Sequence, residues 1–405
     1  MRAMRKCGVR GTRRSAVVGA LALLSIAATT TPAFATSARP SVERLDAAAP
    51  AFYRPPAPLR ADSPGALVRT APYPAIPGAR AWKVLYHSEA LDGRDIVVSG
   101  VVVAPTSGTA PQGGRPVVSW AHGTHGIADK CAPSRHEDWV RRMPAIRQLI
   151  DRGYVVAATD YEGLGTPGVH PYLVGESGAR GVLDVVRAAQ QIPQASASNE
   201  TVVFGHSQGG QAALFAGEIA PEYAPDLDVA GVVAGAPAAE IEAMLPAAAS
   251  LPDTLGFVIM GLAGAEAVYP DADLGAVLTP DGLADSKIVS TKCYEDVLKA
   301  FRKPVDEVIA RNPSDVEPWP EIMLRSTAGQ RPTRAPLFVF QGLGDDIVYK
   351  AFTDMYVERS CTTGNTLLYR TYDGIDHYNE VEASEDDIVG WIDGRVAGEP
   401  APTSC

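Results

Sequence analysis

The sequence predicts an α/β fold, a mostly parallel central sheet sandwiched by helices, and three observations carry that expectation. Short β-branched runs alternate with helix-like stretches, the runs are apolar at consecutive positions, and a glycine-flanked serine sits where one run gives way to a helix. The runs are Pro116–Ala121, Tyr154–Thr159, Thr201–Phe204, Val229–Val233 and Leu337–Phe340. The helix-like stretches are Pro144–Arg152, Ser177–Gln191, Ser207–Ala220 and Lys350–Arg359. A strand with one wet face alternates apolar and polar residues; these do not, so both faces are expected to be covered.

Ahead of the alternation, Trp82–His87 and Ile96–Val103 flank the turn Leu91-Asp92-Gly93-Arg94 and read as a hairpin at a sheet edge. Residues 36–80 are rich in Pro and Ala, as in Arg54-Pro55-Pro56-Ala57-Pro58, which favours extended chain without a hydrogen-bonded ladder. This is an arm wrapped on the body or a loose leader. The core is then 81–237 and 336–405. Between them, 238–335 carry helix-like apolar segments (Ile241–Met244, Gly256–Ala267, Tyr294–Arg302) and no convincing core strand, which reads as an inserted helical cap. Leu255–Val268 could instead be a membrane hairpin, but 14 residues containing Glu266 fit cap core better than a span of about 20.

The N-terminus has the anatomy of an export signal. Arg2, Arg5, Lys6, Arg10, Arg13 and Arg14 precede the apolar run Ala16–Ala28, and Ala33-Phe34-Ala35 is a small-residue cleavage site, so 1–35 are read as a signal peptide. The basic residues suit the general export route and the twin-arginine route alike. The expected product is secreted, extracellular and without stable membrane anchoring. The full chain has a net charge of −11; the signal holds six of the 36 Lys and Arg and none of the 47 Asp and Glu, which leaves 30 against 47 and a charge of −17. Such a surface repels nucleic acid, and no nucleic-acid partner is expected. Cys7 leaves with the signal, and Cys131, Cys293, Cys361 and Cys405 form an even set in an oxidising compartment. Two disulfides are expected, with three pairings open.

Gly205-His206-Ser207-Gln208-Gly209 has the G-x-S-x-G spacing in a strand–turn–helix setting, the context in which a serine hydroxyl is presented as a nucleophile. A serine needs a base, itself oriented by an acid. Of seven histidines only His377 follows Ser207, and it lies on a loop after the strand-like Leu367–Tyr372. The acid is expected after Leu337–Phe340: Asp345, with Asp346 as the alternative, because neighbouring side chains turn apart and sequence does not say which turns inward. Two backbone N–H groups should stabilise the oxyanion, one from Gln208 and one from the loop His122-Gly123-Thr124-His125-Gly126. Thr124 is the preferred donor, with Gly123 and His125 open. His122 and His125, with Asp129, Cys131 and His136 beyond, also offer a metal reading. It is set aside because the loop is a loose ligand frame and hydrolysis by Ser207 needs no metal; no metal and no cofactor are expected.

Taken together, Ala51-Phe52-Tyr53-Arg54-Pro55-Pro56, Cys131-Ala132-Pro133-Ser134, Asp160-Tyr161-Glu162-Gly163, Glu222-Tyr223-Ala224-Pro225-Asp226-Leu227 and Asp345-Asp346-Ile347-Val348 ahead of His377 resemble the secretory lipase family of α/β-hydrolases, which includes fungal lipase A enzymes. The resemblance implies an α/β-hydrolase with a helical cap, a triad Ser207, Asp345 and His377, and disulfides Cys131–Cys293 and Cys361–Cys405. Two departures stand out: fungal members carry an acidic residue where this chain has the His-Gly loop, and the segment after His377 is too short for their terminal flap.

The expected function is a lipase or esterase cleaving acylglycerols or other esters of short to medium acyl length. The apolar residues of Leu255–Ala267 suit an aliphatic pocket or equally the cap's own core. The alternatives are an esterase on feruloyl or acetyl plant-wall esters or polyesters, an acyltransferase, and a non-catalytic binding protein on a degenerate hydrolase scaffold. The partner is then a small-molecule or lipid ester, with a monomer expected and the oligomeric state open.

Overall fold

The computed structural model describes residues 50–405, so the signal 1–35 and the start of the arm lie outside the described residues. Among the described residues nine strands form one sheet: β1 (Leu67–Tyr73), β2 (Ala79–Glu89), β3 (Asp95–Pro105), β4 (Arg115–Ala121), β5 (Val155–Thr159), β6 (Ala197–His206), β7 (Asp228–Gly235), β8 (Leu337–Gly342) and β9 (Leu367–Tyr372). Their order is β1-β2-β3-β5-β4-β6-β7-β8-β9. The first three and the β3–β5 contact are antiparallel, and every pair from β5 to β9 is parallel.

Period-two alternation explains why the strands are apolar throughout. Val203 and Val339 point into one core layer with Val182, Leu214 and Tyr356, from helices Gly175–Gln190, Gln208–Tyr223 and Lys350–Thr362. Their neighbours Val202, Phe204, Phe338 and Phe340 point into the other, with Leu149, Ile388 and Trp391 from helices Ile146–Asp151 and Glu385–Val396. Burial is complete along β5 and β8 and lapses at β9. There the C-terminus covers the edge: Ser404 N–H donates to the Leu367 carbonyl at 2.6 Å, and Cys405 is disulfide-bonded to Cys361.

Two expectations need correction. The arm is not free of a ladder, because Leu67–Tyr73 pairs with β2, Thr70 opposite Val84 and Ala71 opposite Lys83. Pro72 is compatible with this since β1 is the outer strand and has only one side to satisfy. The hairpin β2–β3 is therefore one strand in from the edge rather than at it. Further back, Tyr53 is fully buried and hydrogen-bonded to Ser134, so the described part of the arm is docked on the body.

Between β7 and β8 the chain forms a helical insertion with its own core, in which Leu255, Val258, Ile259, Met260, Phe301 and Trp319 are fully buried. No single described helix is long and apolar enough to cross a membrane. A disulfide from Cys131 to Cys293 ties the insertion to the loop after β4, beside an isolated bridge between Gly126 and Cys293. The bond closes a sequence separation of 162 residues. In urea unfolding, the double variant Cys131→Ser/Cys293→Ser is expected to lose about 2–4 kcal/mol of stability, as removal of a long-loop crosslink does.

Candidate functional site: a strained serine beside an Asp–His pair

Strand β6 ends at His206, helix Gln208–Tyr223 begins at Gln208, and Ser207 makes the turn alone with φ 60° and ψ −121°. Few non-glycine residues hold such a conformation, and the surroundings must enforce it. They do so through Ser207 N–H to the Gly235 carbonyl at 2.9 Å and the Ser207 carbonyl accepting from Ala238 N–H at 3.1 Å. The flanking glycines serve close approach rather than unusual φ. A Cβ on Gly205 would lie 2.0 Å from the Gly209 carbonyl oxygen, and one on Gly209 would lie 1.9 Å from that of Ala121. Ser207 thus stands half-buried at the N-terminus of a 16-residue helix, where the helix dipole favours developing negative charge.

Asp345 is buried on the loop after β8, and its neighbour Asp346 is exposed. Its Oδ1 accepts from the N–H groups of Ile347 (2.8 Å) and Val348 (2.9 Å), and its Oδ2 lies 2.7 Å from Nδ1 of His377. Burial alone would raise the Asp345 pKa, but His377 and the two backbone donors outweigh it and hold it below the usual value. The ionised carboxylate therefore accepts from Nδ1–H of His377, and Nε2 stays outside this hydrogen bond. The His377 ring is 4.6 Å from that of His206, the residue before Ser207.

Opposite lies the loop after β4. Gly123 passes over the serine, since a Cβ there would sit 3.9 Å from Ser207 Cβ. The Thr124 hydroxyl is 2.7 Å from that of Tyr172, and Gln208, as first residue of its helix, has an N–H with no intrahelical acceptor. His122 and His125 both turn Nδ1 to the Gly123 carbonyl (2.6 and 2.9 Å), burial lowers both pKa values, and Cys131 is spent in its disulfide. His122 and His125 thus close a hydrogen-bonded loop on the Gly123 carbonyl. Asp345, His377 and Glu380 bring ligand-type atoms within 4.8 Å of one another. Glu380 is raised to about 9, by burial first.

An apolar cavity of about 80 Å³ opens at Ser207, lined among others by Leu173, Ile241, Met244, Leu245, Phe257 and Val348. A larger cleft of about 730 Å³, bordered by Phe215, Tyr269 and Arg331, touches none of Ser207, Asp345 and His377.

The sequence pattern of the secretory lipase family matches residues 141–404. The chain belongs to the secretory lipase family. Among relatives, it is 24% identical to Lipase 6 of Candida albicans over 87% of this chain and 82% of that one. It is also 24% identical to a Mycobacterium tuberculosis protein named "Probable inactive lipase MT1628", over 86% of this chain and 82% of that one. In three dimensions it is similar to Candida antarctica lipase A, with a TM-score of 0.76 at 20% identity over 87% of each chain, which establishes the α/β-hydrolase fold.

In this secretory lipase family member several supporting residues escaped the sequence reading. His170 donates from Nδ1 to the Glu162 carbonyl (2.9 Å), and its Nε2 lies 2.8 Å from the Gln208 amide nitrogen. Burial lowers its pKa to about 4, so Nε2 is an acceptor at neutral pH. Tyr161 stacks on His170 and donates to the His122 carbonyl at 2.9 Å. Gln341 and Glu380 surround Asp345. Of these, Gln341 carried a signal as a polar residue at the end of an apolar run, and Tyr161 stood in a block that resembles the family. Because the elbow glycines face backbone and not pliable side chains, Gly209→Ala is expected to cost about 1–3 kcal/mol, read as a lowered melting temperature.

Proposed function

We propose that the protein is a secreted serine hydrolase of carboxylic esters. The single observation that carries this reading is the Asp345–His377 hydrogen bond beside a strained Ser207 at the mouth of an apolar cavity. Since one relative is named "Probable inactive lipase MT1628", activity rests on this chain's own residues. Ser207 Oγ attacks the ester carbonyl as its proton passes to Nε2 of His377. Asp345 holds the Nδ1–H tautomer and stabilises the imidazolium. The N–H groups of Gln208 and Thr124 receive the oxyanion. His377 then protonates the leaving alkoxide, and water admitted to the acyl-enzyme repeats the sequence in reverse. The scheme calls for no cofactor.

The helical insertion acts as the cap. Its helix Ile241–Ala248 faces the cavity, whereas most of Leu255–Val268 is the insertion's own core. At about 80 Å³ the cavity is small against the roughly 300–1,000 Å³ of small-molecule sites, which favours the short end of the short to medium acyl range. Leu251 and Tyr349, both exposed, give its mouth an apolar rim suited to an ester substrate. Two disulfides and the basic-apolar leader support an extracellular location, and the charge of −17 after its removal speaks against nucleic acid. Ser207, Asp345 and His377 all lie in one chain, so the chemistry calls on no residue of a second subunit.

The test is initial rates on p-nitrophenyl esters from acetyl to palmitoyl, with labelling by a serine-directed phosphonate. Activity should peak at short chains, and Ser207→Ala should lower kcat by about 10⁴–10⁶-fold and abolish labelling. Neither cleavage nor labelling in the wild type would sink the reading and leave a binding protein. Met244→Trp, which fills the cavity, should shift the preference towards acetyl and lower kcat/KM for hexanoyl and longer esters by about tenfold or more.

A further inference from the structure

Beside Asp345 and His377 stands a second carboxyl–imidazole pair. Glu380 opens the short helix Glu380–Ala383, three residues after His377, and is fully buried. Its Oε1 accepts from the Gly342 N–H at 2.8 Å and from the Gln341 amide at 3.2 Å. The same amide nitrogen lies 3.0 Å from Asp345 Oδ2, and the Gln341 carbonyl oxygen accepts from the Thr353 hydroxyl. Gln341 is therefore clamped on both ends and links the two carboxyls. The other oxygen, Oε2 of Glu380, is buried without a hydrogen bond among the described residues. It lies 3.7 Å from Nε2 of His206, which is likewise buried and unbonded. His206 in turn holds its ring against that of His377.

The mechanism above uses neither residue, yet two unsatisfied polar atoms facing each other in a buried site are costly unless one carries a proton for the other. We propose that Glu380 is a positioning residue of the Asp345–His377 pair, acting through Gln341 on the carboxylate and through His206 on the imidazole. The proposal rests on the serine hydrolase reading and deepens it. Two buried carboxylates this close do not both ionise. Asp345 has the His377 hydrogen bond and the backbone donors, so it takes the charge; Glu380, raised to about 9 by burial and by Asp345, keeps its proton. With Oε1 occupied by two donors, that proton sits on Oε2 and faces His206, which burial and His377 hold neutral at a pKa of about 3. A neutral acid can brace the site in this way; an anion would repel Asp345 and leave His206 without a donor. The groups that face Glu380 are Asp345 from the loop after β8, His206 from β6, Asp376 and His377 from the loop after β9, and Tyr369 from β9.

The experiment compares wild type, Glu380→Gln and Glu380→Ala on p-nitrophenyl acetate from pH 6 to 10, with rates divided by active-site concentration from phosphonate titration. Glu380→Ala should lower kcat per titrated site by about 10- to 100-fold with KM within about twofold. Glu380→Gln, which keeps a donor towards His206 and an acceptor towards Gly342, should recover most of that loss at pH 7. The wild type should show an alkaline fall in kcat near pH 9 that Glu380→Gln lacks. If Glu380→Ala merely reduces the titratable fraction with unchanged kcat per site, or if Glu380→Gln keeps the alkaline fall, the proposal is overturned. Should Glu380→Ala not fold, the pH profile of Glu380→Gln decides alone. A Ser207→Ala variant as active as wild type would instead bring down the hydrolase reading, so the two failures are distinguishable.

Discussion

Backbone crowding where β4, β6 and the helix Gln208–Tyr223 converge is the constraint on which the site depends. At Gly209 the helix lies so close to the end of β4 that not even a methyl group fits, and at Gly205 the strand lies equally close to the helix that follows it. With both neighbours pressed in, the single residue between them must turn through a conformation that L-residues avoid, and Ser207 is held there by backbone hydrogen bonds to Gly235 and Ala238. The strain is what lifts the hydroxyl out over the sheet. The same convergence brings the loop after β4 alongside the serine, so Ser207 and that loop are positioned by one packing event.

Around this point buried carboxyl groups are given a full set of hydrogen-bond donors. Asp345 draws on Ile347, Val348, Gln341 and His377. Asp160, at the end of β5, draws on Ser99 and on both the N–H and the hydroxyl of Ser134, and so pins the segment that carries Cys131. The rings nearby are neutral: burial pushes His122, His170 and His206 down, and they serve as acceptors or donors without charge. One anion and several neutral rings are what a site needs if the only new charges are to be those of the reaction.

The insertion is joined to this frame at more than one place. Besides the disulfide, Glu240 pairs with Arg359 on helix Lys350–Thr362, and Gln211 on the elbow helix donates to the Ser326 carbonyl at 2.7 Å. Its helix Ile241–Ala248 is thereby set against Ser207 with Met244 and Leu245 on the cavity. The mostly apolar Leu255–Val268 lies behind it, enclosed on most sides.

Local patterns in the sequence determined the alternation of strands and helices, the helical insertion and the serine at its strand-to-helix turn, because each depends on residues within a few positions of one another. Chain order singled out His377, the one histidine after Ser207. Only tertiary packing decided between Asp345 and Asp346, since which of two adjacent side chains turns inward depends on the partner waiting there. It also decided that Pro72 sits in a paired strand, because a proline's missing N–H matters only on the side where a neighbour lies. Whether Leu255–Val268 is pocket or core was beyond periodicity for the same reason: an apolar helix reads alike whichever surface covers it. Gln341, Glu380, His170 and Tyr172 acquire their roles in part from contacts 38 to 48 positions apart, as in Gln341–Glu380 (39), Gln208–His170 (38) and Thr124–Tyr172 (48). Polar residues carry no local periodicity that would announce such partners; the fold alone brings them within hydrogen-bond reach.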